Sequence, residues 1–230
     1  MSILITGHKG FIGKKLLKRF PDAHVLEGDI LTQEYFPQAD IVYHLAAQSQ
    51  VDVSMKDPVA DARNNILVTI KLLQNYPNAK FIFISTAGAI NDGIESPYGL
   101  SKYTAEKYIE MLHNNYIICR LPNIYGAPKS VVDIFKDGKV CNINGDGKKT
   151  RNFVYVDDLV DGLVEAPNWN NGNYVFANDI AHSMTELAEA TGKTINYRAS
   201  KIGEVETANL KNTAPNWKPK TDVLKYICEL

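Results

Sequence analysis

Cysteine is scarce in this 230-residue chain, and its three copies are scattered. Cys119, Cys141 and Cys228 form no C-x-x-C pair, so neither a zinc site nor a disulfide framework is suggested, and no metal is expected. No apolar run approaches the ~18 residues of a membrane span. Charge of one sign is also missing: the net charge is −1, and no basic run suits nucleic acid. The cationic stretch DGKKTR reads as a solvated turn. The opening MSILITGHKG has no charged-then-apolar signal architecture, which makes a cytoplasmic protein the default expectation. Repeats, low-complexity tracts and flexible linkers are absent.

What remains is an ordinary globular composition, 45% hydrophobic and 22% charged, long enough for one large domain or one domain with a small appendage. The order of segments is informative. SILIT is a short apolar strand ended by glycine, and FIGKKLLKRF has helical spacing. AHVLEGDI and ADIVYHLAA read as strands. In DPVADARNNILVTIKLLQNY the apolar residues Val59, Ala62, Ile66, Ile70 and Leu73 make a helical stripe. AKFIFIST is an unbroken apolar strand, and YIICRLPNIYG is another that runs into a loop. Alternating helices and unbroken apolar strands predict an α/β fold, a doubly wound parallel sheet covered on both faces.

From about residue 127 the rhythm changes. KVCNING, GNYVFAN and KTINYRAS read as short strands, and VDDLVDGLVEA reads as a helix. SMTELAEATG starts with a capping box from Ser183 to Glu186 and stops at Gly192. The tail ends in a last helix. We therefore expect a dinucleotide-binding core over 1–126, with 152–180 returning to it. Residues 127–230 should form a small α/β substrate lobe that is not an independent domain.

Residues 6–13, TGHKGFIG, follow the first strand and open the first helix. Gly7, Gly10 and Gly13 supply what a dinucleotide requires there: a tight turn, close approach of backbone to pyrophosphate, and close helix–strand packing. Free N–H groups at the helix start then meet the anion. An acid for the adenosine ribose should follow at the end of a later strand, and Glu27 and Asp29 are the candidates. With no arginine close after that strand, NAD is expected in preference to NADP.

In SPYGLSK, Tyr98 and Lys102 stand four positions apart behind a proline–glycine helix start, so they share one helix face. That spacing alone also describes a surface tyrosine over a solvated lysine. Taken together, however, TGHKGFIG, GDI, HLAAQ, YGLSK and RNFVYVDDL resemble the extended short-chain dehydrogenase/reductases, in the NAD-dependent epimerase/dehydratase branch that acts on nucleotide sugars. The resemblance spans the chain nearly end to end.

The resemblance implies a role for each matching residue. Gly7, Gly10, Phe11, Ile12 and Gly13 surround the pyrophosphate. Asp29 and Ile30 hold the adenine, leaving Glu27 for the ribose. Leu45, Ala46 and Ala47 form the strand end beneath the cofactor, Pro122 lies beside the nicotinamide, and Asn65 is the asparagine of the central helix. Tyr98 is the acid/base. Lys102 tunes its phenol and holds the cofactor ribose, and Thr86 is the catalytic hydroxyl that orients the sugar. Asn123, Arg151 and Lys201 contact substrate. Lys201 stands where an arginine is usual, which keeps the charge and loses bidentate geometry. The implied partners are a nucleotide-sugar substrate and a second copy of the chain, joined through the central helix pair.

The chain also departs from the pattern. Ala87 and Gly88 occupy the positions of the Asp-Glu pair that dehydratases carry after the catalytic Thr, which disfavours loss of water. Residues 87–97 and 124–150 are shorter than usual. The implied activity is an NAD-dependent nucleotide-sugar 4-epimerase. A 4-keto-sugar reductase and a silent dinucleotide-sensing protein are the alternatives. His44 reads as a packed strand histidine, His8 as an unneeded loop side chain, Trp169 as loop packing, and Cys119 as inert core.

Overall fold

The computed structural model describes residues 1–89, 94–127, 129–200 and 209–229. In chain order, β1 (Ile3–Thr6) leads through the glycine loop into α1 (Phe11–Arg19), then β2 (His24–Val25) and β3 (Ile41–His44). A short helix α2 (Val51–Lys56) precedes a longer helical run: α3 (Pro58–Ala62), a π-helical turn over Arg63–Leu67, and α4 (Val68–Asn75). Next come β4 (Lys80–Thr86), α5 (Pro97–Leu112), β5 (Tyr116–Leu121) and β6 (Asn123–Tyr125). The rest is α6 (Val131–Asp137), β7 (Val140–Asn144), β8 (Thr150–Tyr155), α7 (Val156–Glu165), β9 (Gly172–Val175), β10 (Ala181–Ser183), α8 (Met184–Ala190), β11 (Thr194–Arg198) and α9 (Val223–Cys228).

These elements divide into two compact units, Met1–Arg120 with Leu163–Tyr174, and Leu121–Gly162 with Val175–Leu230. The first is built on a six-stranded sheet in the order β2-β1-β3-β4-β5-β9, with β2, β1, β3 and β4 mutually parallel. Strand order reverses between β1 and β3, and the carboxyl ends at such a reversal form the crevice where doubly wound sheets bind ligands. Leu4, Ile5, Val42, Tyr43, Phe81, Ile82 and Phe83 are fully buried. Side chains on both faces of these strands are covered, which is why the segments read as unbroken apolar runs.

The second unit holds a three-stranded sheet, β10-β8-β6, and a parallel β11-β7 pair. Its core gathers Tyr125, Phe135, Phe153, Leu187, Val223 and Ile227. The Ser183–Glu186 capping box forms as the spacing predicts, and Gly192 ends that helix with φ +66°. The short elements α2, α6, β6, β8 and β10 were not legible as separate units. Each is too brief to show a period of its own.

Two expectations change. Of AHVLEGDI only His24–Val25 is strand, because Gly28 takes φ +75° and the Asp29 carboxylate accepts from Leu31 N–H, turning the chain into a 3₁₀ turn over Ile30–Thr32. The stripe of Val59, Ala62, Ile66, Ile70 and Leu73 is buried only at its end: Leu73 joins the core and Val59 is 76% exposed, while Asp61, Asn65, Thr69 and Leu72 are buried. Asp61, Asn65 and Thr69 put a polar line on the inward side of this run, beside the buried Val68.

Candidate active site

The glycine loop owes its shape to close backbone contact. Gly7 takes φ +70°, and a Cβ there would lie 2.6 Å from Ala46 N. A Cβ on Gly13 would sit 2.2 Å from the Gly7 carbonyl oxygen. Only glycine is tolerated at either position, and the loop is thereby pressed onto the strand end at Leu45 and Ala46. Gly10 N–H donates to Gly7 O at 2.9 Å, and Gly10 caps α1 with no side-chain hydrogen bond. The first turn of α1 therefore offers bare N–H groups with no acid among them. Such a cradle fits the pyrophosphate of a dinucleotide.

Beyond β2, both candidate acids are already paired. Glu27 is bonded by Lys9 Nζ, with His8 Nε2 3.1 Å from its Oε1. Asp29 accepts from Arg63 at 2.6 Å and also caps Leu31. Hydrogen bonds from Lys9 and from Arg63, respectively, are the main cause of the lowered pKa values of Glu27 and Asp29. No arginine follows the strand closely along the chain, yet in space Arg63 reaches Asp29 from the central helix, and Lys9 reaches Glu27 from the glycine loop. Ile30 is buried in the core of the first unit.

Thr86 ends β4, and Ser96 opens α5 by accepting from Gly99 N–H at 3.1 Å, with Pro97 in the first turn. A Cβ on Gly99 would lie 2.8 Å from Gly88 O, so the start of α5 can close on the turn after β4. Tyr98 N–H donates to Ser54 Oγ of α2 at 3.1 Å. The Tyr98 ring keeps some surface, yet its hydroxyl is set deep enough that burial pushes its pKa up to about 12, opposed by the Thr86 side chain and helped by the Asp61 carboxylate.

Lys102 is 2% exposed, and its Nζ stands 3.9 Å from the centre of the Phe83 ring. Burial pulls the Lys102 pKa down to about 7, opposed by Glu106 and then Asp61. Glu106, one turn further along α5, is completely buried and takes a bidentate hydrogen bond from Arg120 and another from Ser85. The structure thus brings together Thr86, Tyr98 and Lys102 with groups that sequence reasoning missed: Asp61, Gln48, Ser101, Ser85, Glu106 and Arg120. A usable signal was present. Tyr98, Lys102 and Glu106 recur every four residues on α5, as Asp61, Asn65 and Thr69 do on the central helix.

His44 is a buried link between strands and helix. Thr69 donates to Asn65 O at 2.7 Å, leaving its oxygen to accept from His44 Nε2. Thr6 Oγ1 lies 2.8 Å from Nδ1. One donor and one acceptor describe neutral imidazole. Burial, with the Lys102 charge, keeps its pKa well below the usual histidine value.

The remaining expected residues lie in the second unit or outside the described residues. Asn123 starts β6 and is exposed, while Pro122 and Arg151 are partly buried. Arg151 lies on β8 opposite His182 of β10, and its Nη1 donates to Thr150 O at 2.8 Å. Lys201 lies outside the described residues. Among the described residues no group of three or more His, Cys, Asp or Glu side chains could hold a metal, and no helix is long and apolar enough to cross a membrane.

Residues 3–177 match the model of the NAD dependent epimerase/dehydratase family. A Methanocaldococcus jannaschii protein with the provisional name UDP-glucose 4-epimerase is 34% identical over 263 aligned positions, which cover 97% of this chain and 86% of the relative. That alignment is longer than the chain itself, so this chain must be gapped within it. The dTDP-D-glucose 4,6-dehydratase of Dictyostelium discoideum is 32% identical, over 66% of this chain and 44% of its own length. Among solved structures, the UDP-glucose 4-epimerase of Thermotoga maritima with UDP-glucose superposes with a TM-score of 0.89 at 28% identity, covering 99% of this chain and 96% of that one.

Proposed function

The chain belongs to the NAD dependent epimerase/dehydratase family, and from that premise we propose that it is a nucleotide-sugar 4-epimerase. The observation that carries the reading is the meeting of Thr86, at the end of β4, with the Tyr98 phenol it acts on, and the buried Lys102 one turn along the same helix face. Similarity to proteins named as UDP-glucose 4-epimerases supports the same substrate class.

The bare first turn of α1 and the close-packed Gly7 and Gly13 would hold NAD, which supplies a hydride acceptor that can later return the hydride. Thr86 holds the sugar 4-hydroxyl against Tyr98. Tyr98 takes the hydroxyl proton as hydride leaves C4, and gives it back to the 4-keto oxygen when hydride returns to the other face. A phenol with its pKa raised to about 12 is neutral near pH 7. Positive charge beside it must favour the phenolate, and Lys102 is the protein's source of that charge. In so buried a setting each charge counts for more than in water.

Elimination of water is disfavoured by Ala87 and Gly88, which offer no carboxylate after Thr86. Arg151 and Asn123 are the proposed contacts to the sugar nucleotide, and Glu27 and Asp29 the proposed contacts to the adenosine. We further propose a homodimer through α4 and α5. Leu67, just before α4, and Leu100, Met111 and Leu112 of α5 leave large apolar side chains exposed.

The test is incubation of the purified protein with UDP-glucose, UDP-galactose and their N-acetyl and uronic acid counterparts, followed by chromatography of the sugars. Interconversion of 4-epimers without accumulation of reduced cofactor is expected. Stoichiometric oxidation of added NADH by a 4-keto sugar, without epimerisation, would replace this reading with a reductase. NAD binding with no turnover on the panel would leave a dinucleotide-binding protein.

A further inference from the structure

Helix α2 buries a hydroxyl where an apolar side chain would be expected. Of its six residues only Ser54 is buried, with no exposed surface at all, while Val53 and Met55 on either side of it are exposed. A helix this short is marginal on its own. The Ser54 hydroxyl donates to Val51 O at 2.8 Å, the ordinary back-bond of a helical serine. That bond commits the proton and leaves the oxygen free to accept. It accepts from Tyr98 N–H of α5 at 3.1 Å.

The bond meets a need at the start of α5, because first-turn N–H groups have no partner inside a helix. Pro97 carries no N–H, the Gly99 N–H goes to Ser96 Oγ at 3.1 Å, and the Leu100 N–H makes the first intrahelical bond, to Ser96 O at 3.0 Å. Of these four residues Tyr98 alone is left with a donor to place, and the serine that takes it is shut off from solvent. The Tyr98 carbonyl is held as well. Ser101 Oγ donates to it at 3.0 Å and accepts from Asn65 Nδ2 at 2.9 Å. Asn65, in the π-helical turn, also bonds the Gln48 N–H and carbonyl, at 2.9 and 3.1 Å. Gln48 stands two residues after Ala46, whose nitrogen is 2.6 Å from where a Gly7 Cβ would lie. The peptide groups on both sides of Tyr98 are thus tied, directly or through Asn65, to the stretch 46–54 that abuts the glycine loop.

We propose that Ser54 is a positioning residue for Tyr98: its hydroxyl pins the Tyr98 amide to α2 and, with Ser101 at the carbonyl, fixes the backbone of the acid/base on the stretch against which the glycine loop is pressed. Ser54 touches no reacting atom in this scheme. What it sets is where the phenol stands relative to the strand ends. A misplacement of about 1 Å can cost ~10²-fold in rate. Without the Ser54 oxygen the Tyr98 N–H becomes a buried donor with no acceptor, and the start of α5 must shift to find one. The inference rests on the epimerase reading for its effect on rate, whereas the anchor itself is a property of the cofactor-free chain.

The experiment is amide hydrogen exchange by NMR on the full chain, labelled with ¹⁵N-tyrosine and with the Tyr98 signal assigned from Tyr98→Phe. In the unaltered protein the Tyr98 amide should exchange at least about a hundredfold more slowly than an open-chain amide. A fast-exchanging Tyr98 amide overturns the proposal without any variant. In Ser54→Ala that exchange should quicken at least about tenfold, and kcat should fall at least about tenfold with KM and the NAD dissociation constant within about twofold. Tyr76→Phe is the control, since it also removes one buried hydroxyl bond in the same unit, to Pro37 O at 2.9 Å. Equal effects in the two variants, or a loss shared between kcat and cofactor affinity, mark a merely structural serine and overturn the proposal. Unchanged exchange in Ser54→Ala overturns it too. Should Ser54→Ala not fold, Ser54→Cys, which weakens the acceptor and keeps the side chain, carries the same comparison. Absence of turnover on every sugar tested would sink the epimerase reading, while the exchange result still decides for or against the anchor.

Discussion

Replacing Glu106 by Gln removes the negative charge from a fully buried side chain while nearly preserving its size. In the native protein this carboxylate takes two guanidinium nitrogens of Arg120, at 3.1 and 2.6 Å for the nearest pairs, and a hydroxyl from Ser85. Gln keeps one acceptor oxygen, so one hydrogen bond survives, but Arg120 loses its counter-charge. Breaking a buried pair by removing one partner costs ~3–5 kcal/mol. The Arg120 side chain is 15% exposed and so partly open to water, which brings the expectation to about 2–4 kcal/mol. For a chain of this length that corresponds to a fall in Tm of about 5–15 °C. Arg120→Met should cost more than Glu106→Gln, because the orphan it leaves is the side chain with no solvent contact at all. The double variant should cost clearly less than the sum of the two, since it leaves no orphan charge. Urea unfolding of the four proteins, followed by circular dichroism, measures all three differences. If Glu106→Gln loses less than about 1 kcal/mol, or if the two single changes simply add, the pair is not the buried, coupled unit described here.

Tyr98→Phe should lower epimerase turnover at least about a hundredfold with NAD affinity nearly unchanged, and Thr86→Ser should retain most activity; a near-normal rate for Tyr98→Phe would end the proposed mechanism. The depressed Lys102 pKa has a consequence for stability in the cofactor-free chain: the unfolded lysine binds a proton that the folded one has lost, so stability should rise with pH from about 7 to about 8.5, by ~1 kcal/mol. Cys119, raised by burial, begins to act the other way only toward the top of that window and the buried tyrosines above it, so a falling urea midpoint between those pH values would contradict the assignment. Light scattering at micromolar concentration should give twice the chain mass, and Met111→Glu, at a site 79% exposed, should move it toward the monomer; a monomeric mass for the unaltered protein refutes the dimer.

The glycine loop and the apolar strands were legible because their causes are local. Gly7 needs a positive φ and Gly13 a close backbone contact, and both requirements name the residue type directly. A strand buried on both faces must be apolar throughout, so FIFIS announces its place without knowledge of its neighbours. The charges around the site were not legible, because their partners come from other segments. Glu27 and Asp29 look free in sequence and are bound by Lys9 and Arg63 in space. Asp61 was hidden for a different reason. On a helix scanned for apolar periodicity, Val59 and Ile70 attract attention, and Asp61 and Thr69, one turn either side of Asn65, pass unremarked. All three are buried, and a helix that turns polar side chains inward must meet polar groups there. Those groups are Gln48, Ser101 and His44, together with the Tyr98–Lys102 helix. An inverted stripe of this kind, on a helix otherwise able to bury leucine and isoleucine, is therefore itself a sequence-level sign that the sheet-facing surface serves a site as well as a core.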